Sequence, residues 1–292
     1  MNFKTNSSPP TLSSPPLTFK LAKWFQKKRI RGGYRLENII HSLGWLNVKV
    51  RYTLMNEVVL DIPIWYRSYD LSFIYNYEYR SIEFITKIIR RINKPFLLID
   101  CGADIGMISA RLVSECRQIE NVYCFEPNII SFEFLDNNLK LLPVKTVARN
   151  QAVSDFSGKG VLHKPDFDSS DHAAFIVPDN NGSIDVTTID KLQISENENI
   201  LIKIDVEGGE LNVLHGASAT LLNAKKFVIV FEAHYLQVKR VGVDPVDIIS
   251  YVGTLGQIKA VVVEKQDVEI NLNIPFFDQF PDGIYNICIY TI

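Results

Sequence analysis

The sequence predicts an α/β fold built on a largely parallel, nucleotide-binding sheet, and three junctions predict it. Phe96-Leu97-Leu98-Ile99-Asp100 is an apolar strand ending on an acid, and the glycine turn Cys101-Gly102-Ala103-Asp104-Ile105-Gly106 follows at once. Residues 107–116 then place Ile108, Leu112 and Val113 on one helical face. Val122-Tyr123-Cys124-Phe125-Glu126 is a second strand ending on a carboxylate, about one βα unit later. Ile200-Leu201-Ile202-Lys203-Ile204-Asp205 is a third, followed by Val206-Glu207-Gly208-Gly209-Glu210 and a helix. Open sheets of this kind bind ligands at the carboxyl ends of their strands.

The loop between the first strand and helix also describes a ligand. A dinucleotide site uses three glycines so that a pyrophosphate can lie against bare backbone and a helix N-terminus. Here the loop reads G-A-D-I-G, with Asp100 and Asp104 beside it. Acids repel phosphate and suit a ligand that carries a cation and an amino group, as S-adenosylmethionine does. A junction without a ligand is the plainer alternative. For Glu126 the plainer alternative is an ordinary charge at a helix N-terminus. Together with the glycine loop, Glu126 is better placed to take ribose hydroxyls. Lys203, inside an apolar strand, is either the ion-pair partner of a neighbouring carboxylate or an edge residue.

At the amino terminus, residues 1–18 read as a disordered tail rich in Ser, Pro and Thr, without the apolar core of a secretory signal. Residues 19–92 form an extension to the main domain, residues 93–292. Within it the densest basic stretch runs over residues 20–35, beginning at Lys20 and ending at Arg35, with Leu21, Trp24, Phe25 and Ile30 interleaved. A surface helix packing its aromatic side on the main domain is the plain expectation. Weak contact with an anionic membrane surface is a second use for it. Residues 46–60 alternate as a hairpin, and residues 70–92 read as a helix. Beyond the second strand Pro127 ends the pairing, Asn128 caps, and Ile129, Phe132, Leu135 and Leu139 mark a helix face. Toward the carboxyl terminus come a strand over residues 227–231, a helix over 246–255, and two late strands, 258–263 and 284–292. The late pair is expected antiparallel at a sheet edge. Residues 273–282, with three phenylalanines, read as a loop that either walls a pocket or covers an apolar cluster.

Residues 1–95 carry eight lysines and eight arginines against six acids, a charge of about +10. The whole chain is at −2, which leaves about −12 for the rest. An acidic main domain argues against nucleic acid as a partner. No apolar run approaches a membrane span. Four cysteines lacking metal or disulfide spacing read as buried thiols, and a cytoplasmic location is expected.

Several segments carry a resemblance to a known family. They are I-D-C-G-A-D-I-G, F-E-P, N-Q-A-V-S-D beginning at Asn150, D-V-T-T-I-D beginning at Asp185, L-I-K-I-D-V-E-G-G-E-L, V-L-H-G-A and F-E-A-H ending at His234. In this order over residues 93–234, the chain resembles the FkbM family of S-adenosylmethionine-dependent methyltransferases. It departs from the family at Asp104, where Asn is usual. The resemblance implies a class I methyltransferase fold, a seven-stranded, mostly parallel sheet closed by a terminal antiparallel hairpin. It implies cofactor contacts at Asp100, Gly102, Ala103, Asp104, Gly106, Glu126, Pro127, Ala152 and Asp205. It further implies methylation of oxygen on a sugar, a glycan or a secondary metabolite.

Methyl transfer to a hydroxyl needs alignment and a base. His234 and Glu207 are the candidate bases, with Asp205 positioning donor and acceptor. His172 sits in a loop segment, and His215 reads as structural. A divalent ion held by Asp205, Glu207, Glu232 and His234 is the rival reading, and it is not favoured. Tyr69, Tyr75, Tyr77 and Tyr79 are candidate pocket residues, though packing explains most of them. Two other classes stay open: a binding module without catalysis, and another α/β nucleotide enzyme such as a nicotinamide oxidoreductase. The absent third glycine argues against the oxidoreductase.

Overall fold

Short apolar strands alternating with amphipathic helices build the sheet expected from the sequence. The structure is a computed structural model and describes residues 11–13, 49–63, 78–163, 175–266 and 268–292. The amino-terminal elements are β1 (Thr11–Ser13), β2 (Lys49–Thr53), β3 (Val59–Pro63) and α1 (Tyr79–Ile92). Then follow β4 (Phe96–Cys101), α2 (Met107–Glu115), β5 (Ile119–Phe125), α3 (Ile129–Leu139) and β6 (Lys145–Arg149). Four short strands come next, β7 (Ala152–Val153), β8 (Gly158–His163), β9 (Phe175–Pro178) and β10 (Ile184–Thr187). The chain continues through β11 (Asn199–Ile204), α4 (Glu210–His215), α5 (Ser218–Asn223), β12 (Lys226–His234) and α6 (Tyr235–Val241). It ends with α7 (Pro245–Leu255), β13 (Ile258–Val262), α8 (Phe276–Gln279) and β14 (Ile284–Thr291).

The main sheet has seven strands in the order β13-β14-β12-β11-β4-β5-β6. All run parallel except β14, which inserts antiparallel to both β12 and β13. Strand β4 is the pivot: the chain proceeds from it to β5 and β6 on one side, and later to β11 and β12 on the other. The gap between β4 and β11 is therefore the topological switch point, where ligands bind in such sheets. Every residue of β4 and β11 is buried, as strands covered on both faces require.

Alternate residues of these strands enter two cores. Leu98, Cys124, Leu201 and Val228 pack with α1, α2, α3 and the β2–β3 hairpin. Ile99, Phe125, Ile202 and Phe231 pack with α4, α5, α7 and Phe276. Helix α1 buries Ile82, Ile85 and Ile89 along one stripe. Asn128 caps α3 by accepting from the N–H groups of Ile130 and Ser131. In α7 Asp244 and Asp247 form a capping box ahead of Pro245. All four cysteines are buried and free, and burial pushes their thiols up.

The hairpin shares its core with the main domain: Tyr52, Leu60 and Ile62 join the cluster around Leu112 and Leu135. One buried side chain ties it down. Asn138 on α3 accepts from the Asp61 N–H at 2.8 Å and donates to the Asp61 carbonyl at 3.0 Å. It also donates to the Ile105 carbonyl, in the glycine loop, at 2.8 Å.

Three features differ from the sequence expectations. Thr11–Ser13, within the expected disordered tail, pairs antiparallel with β2, because the β2 edge offers unpaired backbone groups. The loop over residues 273–282 contains the helical turn α8, held by Phe276 packing in the core and by its N–H donating to Asp244. A second, four-stranded sheet, ordered β7-β10-β8-β9, stands between β6 and β11 in sequence and was not expected. The basic stretch over residues 20–35, His172, Tyr69, Tyr75 and Tyr77 lie outside the described residues. Among the described residues no helix is long and apolar enough to cross a membrane.

Candidate active site

The glycine loop closes the switch point from one side. The N–H groups of Gly102 and Ala103 both donate to the Phe125 carbonyl at 3.0 Å, which folds the loop over the end of β5. Gly102 lies at φ +81° and Gly106, ahead of α2, at φ +84°, where residues with a Cβ are strained. A Cβ on Gly102 would stand 1.9 Å from the Asp205 carbonyl oxygen. The Asp205 N–H donates to Cys101 at 2.9 Å, so the turns after β4 and β11 interlock. Asp104 itself takes φ +49°, a conformation that Asn and Asp tolerate best.

Glu126 stands across the loop, one residue past β5. Its two carboxylate oxygens accept from the N–H groups of Asp104 at 2.9 Å and Asn128 at 2.8 Å. Burial pushes this carboxyl up to about 7, against those two hydrogen bonds. Asn150 donates to the carbonyls of Glu126 and Pro127, fixing the turn. Ala152 is buried beside it, and Pro127 is half-buried. Between them in sequence, the Gln151 Oε1 is buried and has no donor among the described residues. Gln151 lies in the N-Q-A-V-S-D segment but is not separated there as a site residue, because its polarity is unremarkable outside the fold.

Lys203 resolves in favour of the ion pair. Strand β11 is central, and the side chain is 6% exposed. Its Nζ lies 2.9 Å from Asp205 Oδ2 and 3.9 Å from Asp100 Oδ1. Burial alone would lower its pKa, but Asp205, Asp100 and Glu78 outweigh burial and raise it well above the usual lysine range. Asp100 is fully buried and accepts from the Ser109 hydroxyl at 2.6 Å, while its Oδ1 has no hydrogen bond among the described residues. Its carboxyl is raised by burial, with Lys203 opposing. Asp100 thus lies under the loop as the anchor of Lys203, whereas Asp104 and Asp205 keep partly exposed surface.

The three catalytic candidates lie at the ends of β11 and β12, and each is already engaged, Asp205 by Lys203. Glu207, at φ +57°, accepts from the Gln237 side chain at 2.6 Å. His234 caps α6, its Nδ1 accepting from the Leu236 N–H at 3.1 Å. Burial, with Arg240 nearby, lowers its pKa. The imidazole is therefore neutral near pH 7, with its proton on Nε2 and its lone pair committed to the cap. His215 packs edge-on against Tyr251 at 4.4 Å. Two carboxyls not chosen from the sequence as acid–base groups join the site. Burial pushes Glu210 and Glu232 each up to about 7. Among the described residues no three His, Cys, Asp or Glu side chains are grouped to hold a metal ion.

A seven-stranded sheet with one antiparallel strand beside its far edge, and a glycine loop facing an acid at the switch point, defines a class I methyltransferase fold. The family described as Methyltransferase FkbM domain matches residues 100–259, and the chain belongs to it. Hexuronic acid methyltransferase AglP of Haloferax volcanii is 28% identical over 170 residues, 57% of this chain. The match spans 65% of the length of that relative. Among solved structures, methyltransferase FkbM from Methylobacillus flagellatus is 19% identical with a TM-score of 0.42, covering 68% of this chain and 44% of that one. An S-adenosylmethionine-dependent methyltransferase from Clostridium acetobutylicum is 11% identical with a TM-score of 0.40, covering 75% and 97%.

Proposed function

We propose that this protein transfers a methyl group from S-adenosylmethionine to a hydroxyl of a sugar or glycan, with a hexuronic acid the leading class. The observation that carries the cofactor assignment is Glu126, a buried carboxylate held rigidly by two backbone N–H groups opposite the glycine turn. A carboxylate has more acceptor sites than those two bonds use, so it retains capacity for a ribose diol. Two further features fit the same molecule. Asp104 and Asp205 present negative charge where a sulfonium and an amino group need it. The orphaned Gln151 Oε1 is an acceptor awaiting a donor, which an adenine amino group would supply. The sugar class is taken from the hexuronic acid methyltransferase relative.

When bound, S-adenosylmethionine supplies an electrophilic methyl on sulfur. The residues of this chain then have three tasks. Glu126 fixes the ribose and the loop over residues 102–106 the methionine side, Asp205 and Lys203 fix the charge balance at the strand ends, and a base accepts the hydroxyl proton. Glu126→Ala is expected to weaken binding of S-adenosylhomocysteine by roughly 2–4 kcal/mol, since hydrogen bonds to a charged group are worth about 1.5–3 kcal/mol each. Isothermal titration of both proteins checks this. An unchanged affinity would remove Glu126 from the cofactor site.

A further inference from the structure

We propose that the groove between Glu78 and Glu232 is the acceptor subsite for a sugar held through its hydroxyl groups, and that Glu232 is the base that takes the proton from the hydroxyl being methylated. The inference rests on the transferase function proposed above and names its acceptor site and base.

The groove has a volume of about 390 Å³ and is lined by Glu78, Tyr79, Ser81, Glu232, Glu264 and Asn286, with Arg80 exposed at its rim. Its floor is the antiparallel step between β12 and β14, where Glu232 faces Asn286. Ile204 pairs with Phe231, so Glu232 stands level with Asp205 at the switch-point end of the sheet. Through Glu232 the groove reaches the strand ends at which the methyl donor is expected.

Its lining suits a polyol. Glu78 and Glu232 are acceptors for hydroxyl protons, and Tyr79 offers a ring beside them. Ser81 is 1% exposed, and its hydroxyl has no partner among the described residues. Three carboxylates against one rim arginine disfavour any anionic group deep in the groove, phosphate or uronate alike, so an acid sugar would keep its carboxylate at the Arg80 rim and present hydroxyls inward. Glu264 is the spent member, since it accepts from the backbone and side chain of Asn286.

Glu232 is the candidate base that remains uncommitted. His234 spends its lone pair on the α6 cap, Glu207 accepts from Gln237, and Asp205 pairs with Lys203. Glu232 accepts no hydrogen bond from the described residues. Behind it, a cavity of about 20 Å³ lined by Glu210, His234 and Gln237 has room for one water. The groups facing Glu232 are Glu78 ahead of α1, Tyr79 and Arg80 in its first turn, Lys203, Asp205, Glu207 and Glu210 on and after β11, Glu264 after β13, and His234. Burial, with Asp205, Glu207 and Glu78 close by and Lys203 opposing, pushes it up to about 7, as a base working near neutrality requires.

In the step, the hydroxyl oxygen bonds to the methyl carbon as the carbon–sulfur bond breaks. The electron pair of that bond passes to sulfur, leaving a neutral thioether. The hydroxyl proton passes to Glu232 and then to solvent along the groove.

The test compares the full chain with Glu232→Gln and Glu232→Asp, using methyl β-glucuronide and methyl β-glucoside as acceptors and labelled donor. Glu232→Gln should bind S-adenosylhomocysteine as the wild type does, yet lose roughly 10²–10⁴-fold in kcat. Wild-type kcat should rise with pH through about 7, as the carboxyl loses its proton, and then level off. That limb should vanish in Glu232→Gln and survive at a lower rate in Glu232→Asp. Full turnover with an intact limb in Glu232→Gln overturns the base assignment, as does a limb that vanishes in His234→Gln instead. A wild type that binds S-adenosylhomocysteine but shows no saturation transfer to either sugar overturns the subsite. A wild type that does not bind S-adenosylhomocysteine overturns the transferase function and this inference with it.

Discussion

Gly102→Ala is expected to lower stability by on the order of 4 kcal/mol and to abolish binding of S-adenosylhomocysteine. Two costs combine. A residue with a Cβ at φ +81° is strained by about 1–3 kcal/mol. The new methyl also meets the Asp205 carbonyl at 1.9 Å, which cannot yield without separating the turns after β4 and β11. That backbone oxygen has no rotamer to escape into, so the loop must open. Urea unfolding gives the first number and calorimetric titration the second. A variant with wild-type midpoint and affinity would mean that the two turns are not interlocked.

Lys203→Met is expected to destabilise the fold by about 3 kcal/mol, because removing one member of a buried ion pair leaves the others uncompensated. The figure sits at the low end of the usual range for a stated reason. Asp100 can take up a proton once its cation is gone, since burial already favours its neutral form. This fixes the sign of the pH dependence. The folded variant binds a proton that its unfolded chain does not, so it gains stability as pH falls, and the gap to wild type narrows toward pH 5. Unfolding at pH 5 and pH 8 checks both parts, and a gap that widens on acidification would refute the account. The double variant Lys203→Met, Asp205→Asn should recover part of the loss.

The main sheet was legible because its strands are continuous apolar runs punctuated by acids, glycine or proline. A run such as Phe96–Cys101 has few readings other than a strand buried on both faces. Glu126 and Asp205 were legible as candidates for the same reason, each being an acid that directly follows the last apolar residue of such a strand. The four-stranded sheet was not. Its members are two to six residues long and mix lysine, aspartate and glycine with their apolar positions, so no period stands out. Their pairing is set by partners far away in the chain, as when Val186 lies against Ala152. In the D-V-T-T-I-D segment, Asp190 accepts from the N–H groups of Ala219 and Thr220 at the start of α5, a purely architectural task that the sequence does not separate from a functional one. The commitments of His234 and Glu207 were hidden likewise, because each depends on where α6 begins.

Asn138 carries a consequence for how the amino-terminal region is coupled to ligand. A single amide spans strand β3 and the glycine loop, bonding to both sides of Asp61 and to the Ile105 carbonyl. Any molecule that stiffens the loop must also suppress opening of the hairpin, because neither can part from Asn138 without leaving a buried polar group unsatisfied. The exchange rate of the Asp61 amide hydrogen is thereby a remote gauge of loop occupancy. A chain cut at Asn93 would lose both the gauge and the roof that Leu60 and Ile62 place over Leu135.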